Sequence, residues 1–172
     1  MVASSPFVAN QLNNLAMLLQ ATNRLAEAEP LMARVVTIFE QSLGENHPNV
    51  ATALNNLAVL LQATNRPAEA EPLMRRALAI DEQSSGDQHP KVAISLNNLA
   101  DLLKATNRLA EAEPLMQRMV EILHKFGEST GHEHPHMQVA ITNYRLLLEE
   151  LKLDEAEIAK RVKPFVTPSQ KP

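Results

Sequence analysis

Pairs of asparagine recur along the chain, and their side chains are well suited to binding another peptide. The pairs are Asn13 and Asn14, Asn55 and Asn56, and Asn97 and Asn98, with a single Asn143 after them. A carboxamide both donates and accepts hydrogen bonds, so it pairs with a peptide unit whatever side chain that unit carries. The alternative is that one asparagine of each pair bonds to the neighbouring repeat and holds the repeats together. The spacing leaves open which asparagine has which role.

Histidines near the end of the chain offer metal chemistry. Imidazoles two residues apart can bind one ion, and His132, His134 and His136 have this spacing, with His124 nearby. His134 also belongs to a His-Pro pair that occurs three times, at His47, His89 and His134. This recurrence favours a role in the fold, and we predict no metal site.

Paired glutamates raise the question of acid and base catalysis. The pairs are Glu27 and Glu29, Glu69 and Glu71, and Glu111 and Glu113. Each lies near a predicted helix start, where negative charge is favoured by the helix dipole. A catalytic site is expected once rather than three times, and the sequence contains no nucleophile with its base and no phosphate-binding loop. We therefore predict no enzymatic activity, no catalytic residues and no cofactor.

These side chains recur because the sequence repeats with a period of 42 residues. Leu-Asn-Asn-Leu-Ala begins at Leu12, Leu54 and Leu96, and an altered fourth copy carries Asn143. The sequence predicts one repeat domain over residues 1–172, with units at about 6–47, 48–89, 90–134 and 135–163 and a tail at 164–172. The segment 123–133 is three residues longer than its counterpart and contains Gly127 and Gly131, so we expect a looser connection there.

Each unit is predicted to form two antiparallel helices. In the second repeat, 48–89, Leu54, Leu57 and Leu61 share one helical face. Met74 and Ala77 share a face in the following segment of that repeat. The short polar Thr64-Asn65-Arg66 between them suits a hairpin turn. Proline of each His-Pro pair is expected to open a first helix. Arg24, Arg66 and Arg108 recur at the turns and are expected to pair with nearby glutamates, or, alternatively, to contact a partner.

Small residues are predicted where the two helices of a hairpin approach closely, at Ala58 and Ala70. One hairpin leaves an apolar face uncovered, so successive hairpins must stack. The predicted fold is therefore all-α, a right-handed superhelical α-solenoid of antiparallel helix hairpins.

The repeats resemble tetratricopeptide repeats of the kinesin light chain type. The resemblance rests on the 42-residue period, on Leu-Asn-Asn-Leu-Ala, on Glu-Ala-Glu-Pro-Leu and on Gly-x-x-His-Pro-x-Val-Ala at 44–51 and 86–93. The close likeness between units is typical of arrays found in bacterial proteins. The resemblance implies a protein-protein interaction scaffold that holds an extended peptide in a concave groove formed by the first helices, with asparagines gripping the peptide backbone.

The asparagine part of this groove matches the present sequence residue by residue. The predicted peptide-binding residues are Asn13, Asn14, Thr52, Asn55, Asn56, Val59, Gln62, Asn97, Asn98, Asp101, Lys104 and Asn143. In the family, cationic side chains meet acidic groups of the peptide. Lys104 is the one cation at these positions and Asp101 lies beside it, so a strongly acidic ligand is not predicted.

Composition excludes several other functions. The 172 residues include no cysteine, so disulfides and thiolate metal sites are excluded. The net charge of −4 disfavours binding to nucleic acid or to an anionic membrane. No membrane span or targeting segment is predicted, and the expected location is the cytoplasm. A protein or peptide is the expected partner. The alternative is a structural spacer or self-association module of a larger multidomain protein.

Overall fold

A computed structural model describes residues 5–166 and shows helices without strands over that range. The described chain divides after Asp87 into two compact units, each of which contains two helical hairpins. The eight α-helices are α1 (Pro6–Ala21), α2 (Leu25–Leu43), α3 (Pro48–Ala63), α4 (Pro67–Ser85), α5 (Pro90–Ala105), α6 (Leu109–Thr130), α7 (Met137–Glu150) and α8 (Glu155–Val162). The all-α prediction is confirmed.

In unit 1, which comprises α1 to α4, the helices pack in chain order. The two hairpins are α1 with α2 and α3 with α4, and α2 packs against α3 to join them. Ala58 and Ala70 are completely buried, as expected where two helices approach closely. One cluster at the junction of the hairpins contains Met32 of α2 and Leu60 of α3. The hairpin that was predicted from the repeat therefore builds its core with the next one.

In unit 2, which comprises α5 to α8, the same order continues with a shorter final helix. The pairs α5 with α6, α6 with α7, and α7 with α8 are in contact. A short 3₁₀ helix (Lys163–Phe165) follows α8, and residues 167–172 of the predicted tail lie outside the described residues. Asp154 begins α8, because its carboxylate accepts the backbone N–H of Glu157 at 2.8 Å.

The connection before α7 matches the prediction in part. The extra residues lengthen a helix, since α6 has 22 residues where α2 and α4 have 19. The connection itself is also longer, as predicted, because 131–136 separate α6 from α7 whereas only 44–47 and 86–89 separate the earlier helices. Gly131 then ends α6 with φ 72°, a left-handed conformation that glycine adopts without strain. Pro135 does not open α7, which begins at Met137 after a turn in which Met137 N–H donates to the His134 carbonyl at 2.8 Å.

The turns within the hairpins share one backbone conformation. Asn23, Asn65 and Asn107 have φ of 59° to 60°, and Lys152 has the same conformation in the last hairpin. Asparagine tolerates this left-handed region better than other residues with a Cβ atom. The repeated asparagine is therefore a consequence of turn geometry, and Lys152 is strained where its counterparts are not.

Replacing Lys152 with asparagine is expected to increase the free energy of unfolding by about 0.5–1 kcal/mol, because the turn no longer holds an unsuited residue. Lys152→Ala is the matched control and should bring no gain, since it retains the Cβ atom without the local polar side chain. Urea denaturation followed by circular dichroism measures both variants. Equal stability of Lys152→Asn and Lys152→Ala would contradict the strain argument.

Within residues 5–166, no helix combines the length and the apolar character needed to cross a membrane.

Candidate functional site

The predicted asparagines of unit 1 are partly used to join its hairpins. Asn56 on α3 donates from Nδ2 to Oδ1 of Asn13 on α1, over 3.1 Å, and Asn55 is buried. Asn14 is exposed. The first asparagine of one repeat thus bonds to the second asparagine of the next, which is the stacking role left open by the sequence.

The corresponding asparagines of unit 2 are arranged differently. Asn97 on α5 and Asn143 on α7 occupy the repeat positions of Asn13 and Asn56 and both line a cleft. Asn97 donates from Nδ2 to Oδ2 of Asp101 at 2.9 Å, one turn along the same helix. Asn98 is half-buried. The structure therefore brings Asn97 and Asn143 to one surface.

The other predicted residues lie on the exposed sides of α3 and α5. Thr52 and Val59 are exposed and Gln62 is half-buried. Thr52 Oγ1 donates to the carbonyl of Pro48 at 3.2 Å.

The charges of the predicted site lie further along α5. Burial raises the pKa of the Asp101 carboxyl, against the opposing effects of Lys104 and of the bond from Asn97. Lys104 Nζ lies 3.6 Å from Oε1 of Glu150 on α7. The single predicted cation is therefore already close to a carboxylate.

The cleft lined by Asn97 and Asn143, called here the α5–α7 cleft, has a volume of about 610 Å³. Ile94 on α5 and Val139 on α7 flank it, and their side chains are 60% and 58% exposed. Met119 and Leu123 of α6 also line it. Volumes of about 300–1,000 Å³ with mostly apolar walls and few polar groups are typical of ligand sites.

One end of the cleft carries histidines that the sequence prediction did not assign to a site. His89, His134 and His136 line it together with Lys91. His89 Nδ1 accepts the Lys91 backbone N–H at 3.1 Å, and His134 Nδ1 accepts that of His136 at 3.2 Å. His47 caps α3 in the same way through Asn49 N–H, at 3.1 Å. The repeated histidine therefore accepts a hydrogen bond at Nδ1, a bond that requires the neutral ring with its proton on Nε2.

The sequence contained a signal for this cleft, but a weak one. Val139 follows Ile94 by 45 residues instead of 42, so the regular period does not align them. When the three additional residues of α6 are taken into account, Ile94 and Val139 occupy the same repeat position, in α5 and α7, the first helices of two consecutive hairpins. Among residues 5–166, no group of three histidine, aspartate or glutamate side chains is arranged to hold a metal ion.

The repeated arginines and glutamates pair with one another, as expected for the turns. Arg24, Arg66 and Arg108 bind the glutamate three residues later in each hairpin, with shortest distances of 2.6–2.7 Å. Arg66 also bonds Glu29 of the preceding hairpin at 2.7 Å. Both carboxylates of the Glu27 and Glu29 pair are therefore bound by arginine.

Comparison with known proteins agrees with these features. The tetratricopeptide repeat family model matches residues 7–83 and 68–125. No curated protein sequence gives a significant match.

Solved structures of similar fold include proteins from two organisms. The nearly identical TPR-like repeats of a candidate kinesin light chain from Podosopora anserina superpose with a TM-score of 0.78 at 24% identity, covering 97% of this chain and 80% of that one. BtubC (BKLC) from P. vanneervenii gives 0.77 at 21% identity, covering 98% and 69%. These likenesses show the fold, which is that of kinesin-light-chain-like repeats. With its helical hairpins, its 42-residue period and a family match over most of its length, this chain belongs to the tetratricopeptide repeat family.

Proposed function

We propose that this protein is an interaction scaffold that binds an extended peptide segment of a partner protein in the α5–α7 cleft. The observation that carries the proposal is the position of Ile94 and Val139, two exposed aliphatic side chains on either side of one cleft. Single exposed apolar residues are common on protein surfaces, whereas a contiguous apolar patch beside polar groups is typical of a binding site.

The asparagines of the cleft supply the polar contacts of the proposal. A carboxamide has two N–H donors and an oxygen that accepts, so the bond from Asn97 to Asp101 leaves further capacity for a peptide backbone. Asn143 lies on the opposite wall. A bound segment would place an apolar side chain between Ile94 and Val139 while these amides bond to its main chain.

Unit 1 contributes less to this proposal. Its equivalent amides, Asn13 and Asn56, bond to each other, while Thr52, Val59 and Asn14 remain accessible on the first helices. We therefore expect peptide contacts of unit 1 to be weaker than those of the α5–α7 cleft.

The test is selection of peptides from a displayed random library on the full chain, followed by fluorescence anisotropy of the selected peptides. The double variant Ile94→Asp with Val139→Asp should weaken binding at least about tenfold, the cost of about 1.4 kcal/mol that marks an important interface contact. Ala110→Asp is the control, because Ala110 is exposed on α6 and does not line the cleft. Binding that is equal in the double variant and the wild type would rule out the cleft.

A second candidate function is self-association through the outer face of α1. Leu18 is 62% exposed, whereas Leu60 and Leu147 at the same repeat position are completely buried. Leu15 beside it is also exposed. An apolar face of this kind can pair with the same face of a second copy about a two-fold axis.

Light scattering over a concentration series tests self-association. This second function requires the wild type to approach twice the mass of one chain and Leu18→Asp to remain monomeric. Leu146→Asp serves as the control, since Leu146 is an exposed leucine on α7, outside the α1 face. A wild type that stays monomeric at every concentration would exclude this role.

A further inference from the structure

The polar end of the α5–α7 cleft is built from groups that are cationic or become so on mild acidification. Lys91 and His89 come from the start of α5, and His134 and His136 come from the segment before α7. None of the described residues that line the cleft is acidic. Because α5 begins at Pro90, the positive end of its dipole lies at this same end.

The three imidazoles are in different chemical situations. His89 and His134 use Nδ1 to accept a backbone N–H, so protonation of either ring must break that bond. The His136 ring lies 5.4 Å from the His134 ring, centroid to centroid. Two imidazolium charges at this distance repel each other, and an anion bound beside them offsets that repulsion.

No described residue that lines the cleft beside these rings carries a carboxylate. From α6, the Phe126 ring packs edge-on against the His134 ring with 5.3 Å between centroids, and Met119 and Leu123 line the same cleft. In the linker, Glu133 accepts a hydrogen bond from Gln138 Nε2. Burial, together with His136, lowers the pKa of His134. Proton uptake by His134 in the empty cleft is therefore shifted to lower pH than for an ordinary imidazole.

We propose that the α5–α7 cleft binds a peptide carrying a carboxylate beside its aliphatic side chain, and that binding is coupled to proton uptake by His134 and His136. This inference rests on the proposed function and adds a regulation to it, the coupling of binding to protonation of the histidines. The aliphatic side chain lies between Ile94 and Val139, and the carboxylate lies at the histidine end. A bound carboxylate favours the imidazolium forms, so affinity rises as pH falls through the range where imidazole titrates.

The expected gain follows from the coupling between one carboxylate and the imidazoles. A change of one unit in the pKa of a coupled group corresponds to about a tenfold change in affinity. We expect the selected peptides to bind about tenfold more tightly at pH 5.5 than at pH 7.5, and to lose this gain when their aspartate or glutamate is replaced by asparagine or glutamine.

The experiment selects peptides from the displayed library at pH 5.5 and measures their anisotropy at both pH values. His134→Asn with His136→Gln should bind as the wild type does at pH 7.5 and show no gain at pH 5.5. Asparagine at position 134 retains an acceptor for the backbone N–H of residue 136. His47→Asn is the matched control, since Nδ1 of His47 accepts a backbone N–H two residues further on in unit 1 and His47 does not line the cleft, and it should retain the full gain. Circular dichroism at both pH values establishes that each variant is folded.

The outcomes separate this inference from the proposed function. If binding is lost on Ile94→Asp with Val139→Asp but does not depend on pH or on the peptide carboxylate, the scaffold function stands and the proton coupling is wrong. If the pH gain persists in His134→Asn with His136→Gln, the histidines are not its source and the inference is overturned. If no peptide depends on the cleft at either pH, the proposed function fails, and this inference fails with it.

Discussion

Leu60→Ala is expected to lower the free energy of unfolding by about 3–5 kcal/mol, while Leu18→Ala at the same repeat position is expected to change it by less than about 0.5 kcal/mol. Leu60 is completely buried where α3 packs against α2, in a cluster with Ala28 and Met32. Its removal leaves a cavity between two hairpins. Leu18 is mostly exposed, so its truncation opens no cavity.

The two variants compare the same substitution at a buried and at an exposed position, because Leu18 and Leu60 occupy the same place in the repeated motif. Chemical denaturation monitored by circular dichroism gives the two free energies, and hydrogen exchange shows which helices open. Exchange should increase in α1 to α4 of Leu60→Ala, because the cluster belongs to unit 1. Similar losses for both leucines would show that α1 is covered in solution, in agreement with self-association and against a monomer.

The regular part of the fold was predictable because each local signal recurs at the same spacing. Pro48 and Pro90 open α3 and α5 as predicted, and Gly44 and Gly86 end α2 and α4 with positive φ. Each of these signals acts within a few residues. A repeat also presents every signal more than once, so that an accidental match in one copy is recognised from the others.

The segment between α6 and α7 was predicted only in part because its sequence permits two structures. Three additional residues can form a longer loop or almost one more turn of helix. Gly127 favoured the loop, but it lies inside α6, and Gly131 alone ends the helix. α6 also packs against α7, and a helical-propensity argument does not include such tertiary contacts.

The candidate site was only partly predictable, since helical periodicity assigns a side chain to a face but not to a partner. Asn13 and Asn56 are 43 residues apart, and their bond depends on how α1 and α3 are spaced. His89 and His134 were recognised as repeated, and each accepts the backbone N–H two residues further on, which at His89 caps α5. Their position at the end of a cleft depends on the longer α6 and could not be derived from the period.

Tyr144→Ala is the second substitution with a large expected effect, a loss of about 3–5 kcal/mol in the free energy of unfolding. Tyr144 on α7 is 1% exposed, and it replaces a leucine of the regular repeat. Its Oη donates to Oε1 of Glu113 on α6 at 2.8 Å, and Arg161 of α8 donates to the same oxygen at 3.1 Å. One carboxylate thus joins the three helices that form the end of unit 2.

The phenol and the cavity contribute separately to this loss. Burial, followed by the bond to Glu113, raises the pKa of the Tyr144 phenol above its ordinary value, so the hydroxyl remains a donor throughout the neutral range. Tyr144→Phe removes the hydrogen bond alone and is expected to cost about 1–2 kcal/mol, because the ring still fills its place. Leu146→Ala is the control on the same helix, where an exposed side chain should contribute less than about 0.5 kcal/mol.

The measurement uses far-ultraviolet circular dichroism, because Tyr144 is the single tyrosine and the chain has no tryptophan. If Tyr144→Phe lowers the free energy of unfolding as much as Tyr144→Ala does, the hydrogen bond to Glu113 accounts for the whole loss and the packing argument fails. If Tyr144→Phe is neutral, Arg161 alone satisfies the Glu113 carboxylate. The intermediate result is expected, because a buried aromatic ring and a carboxylate shared between α7 and α8 stabilise the last hairpin by different means.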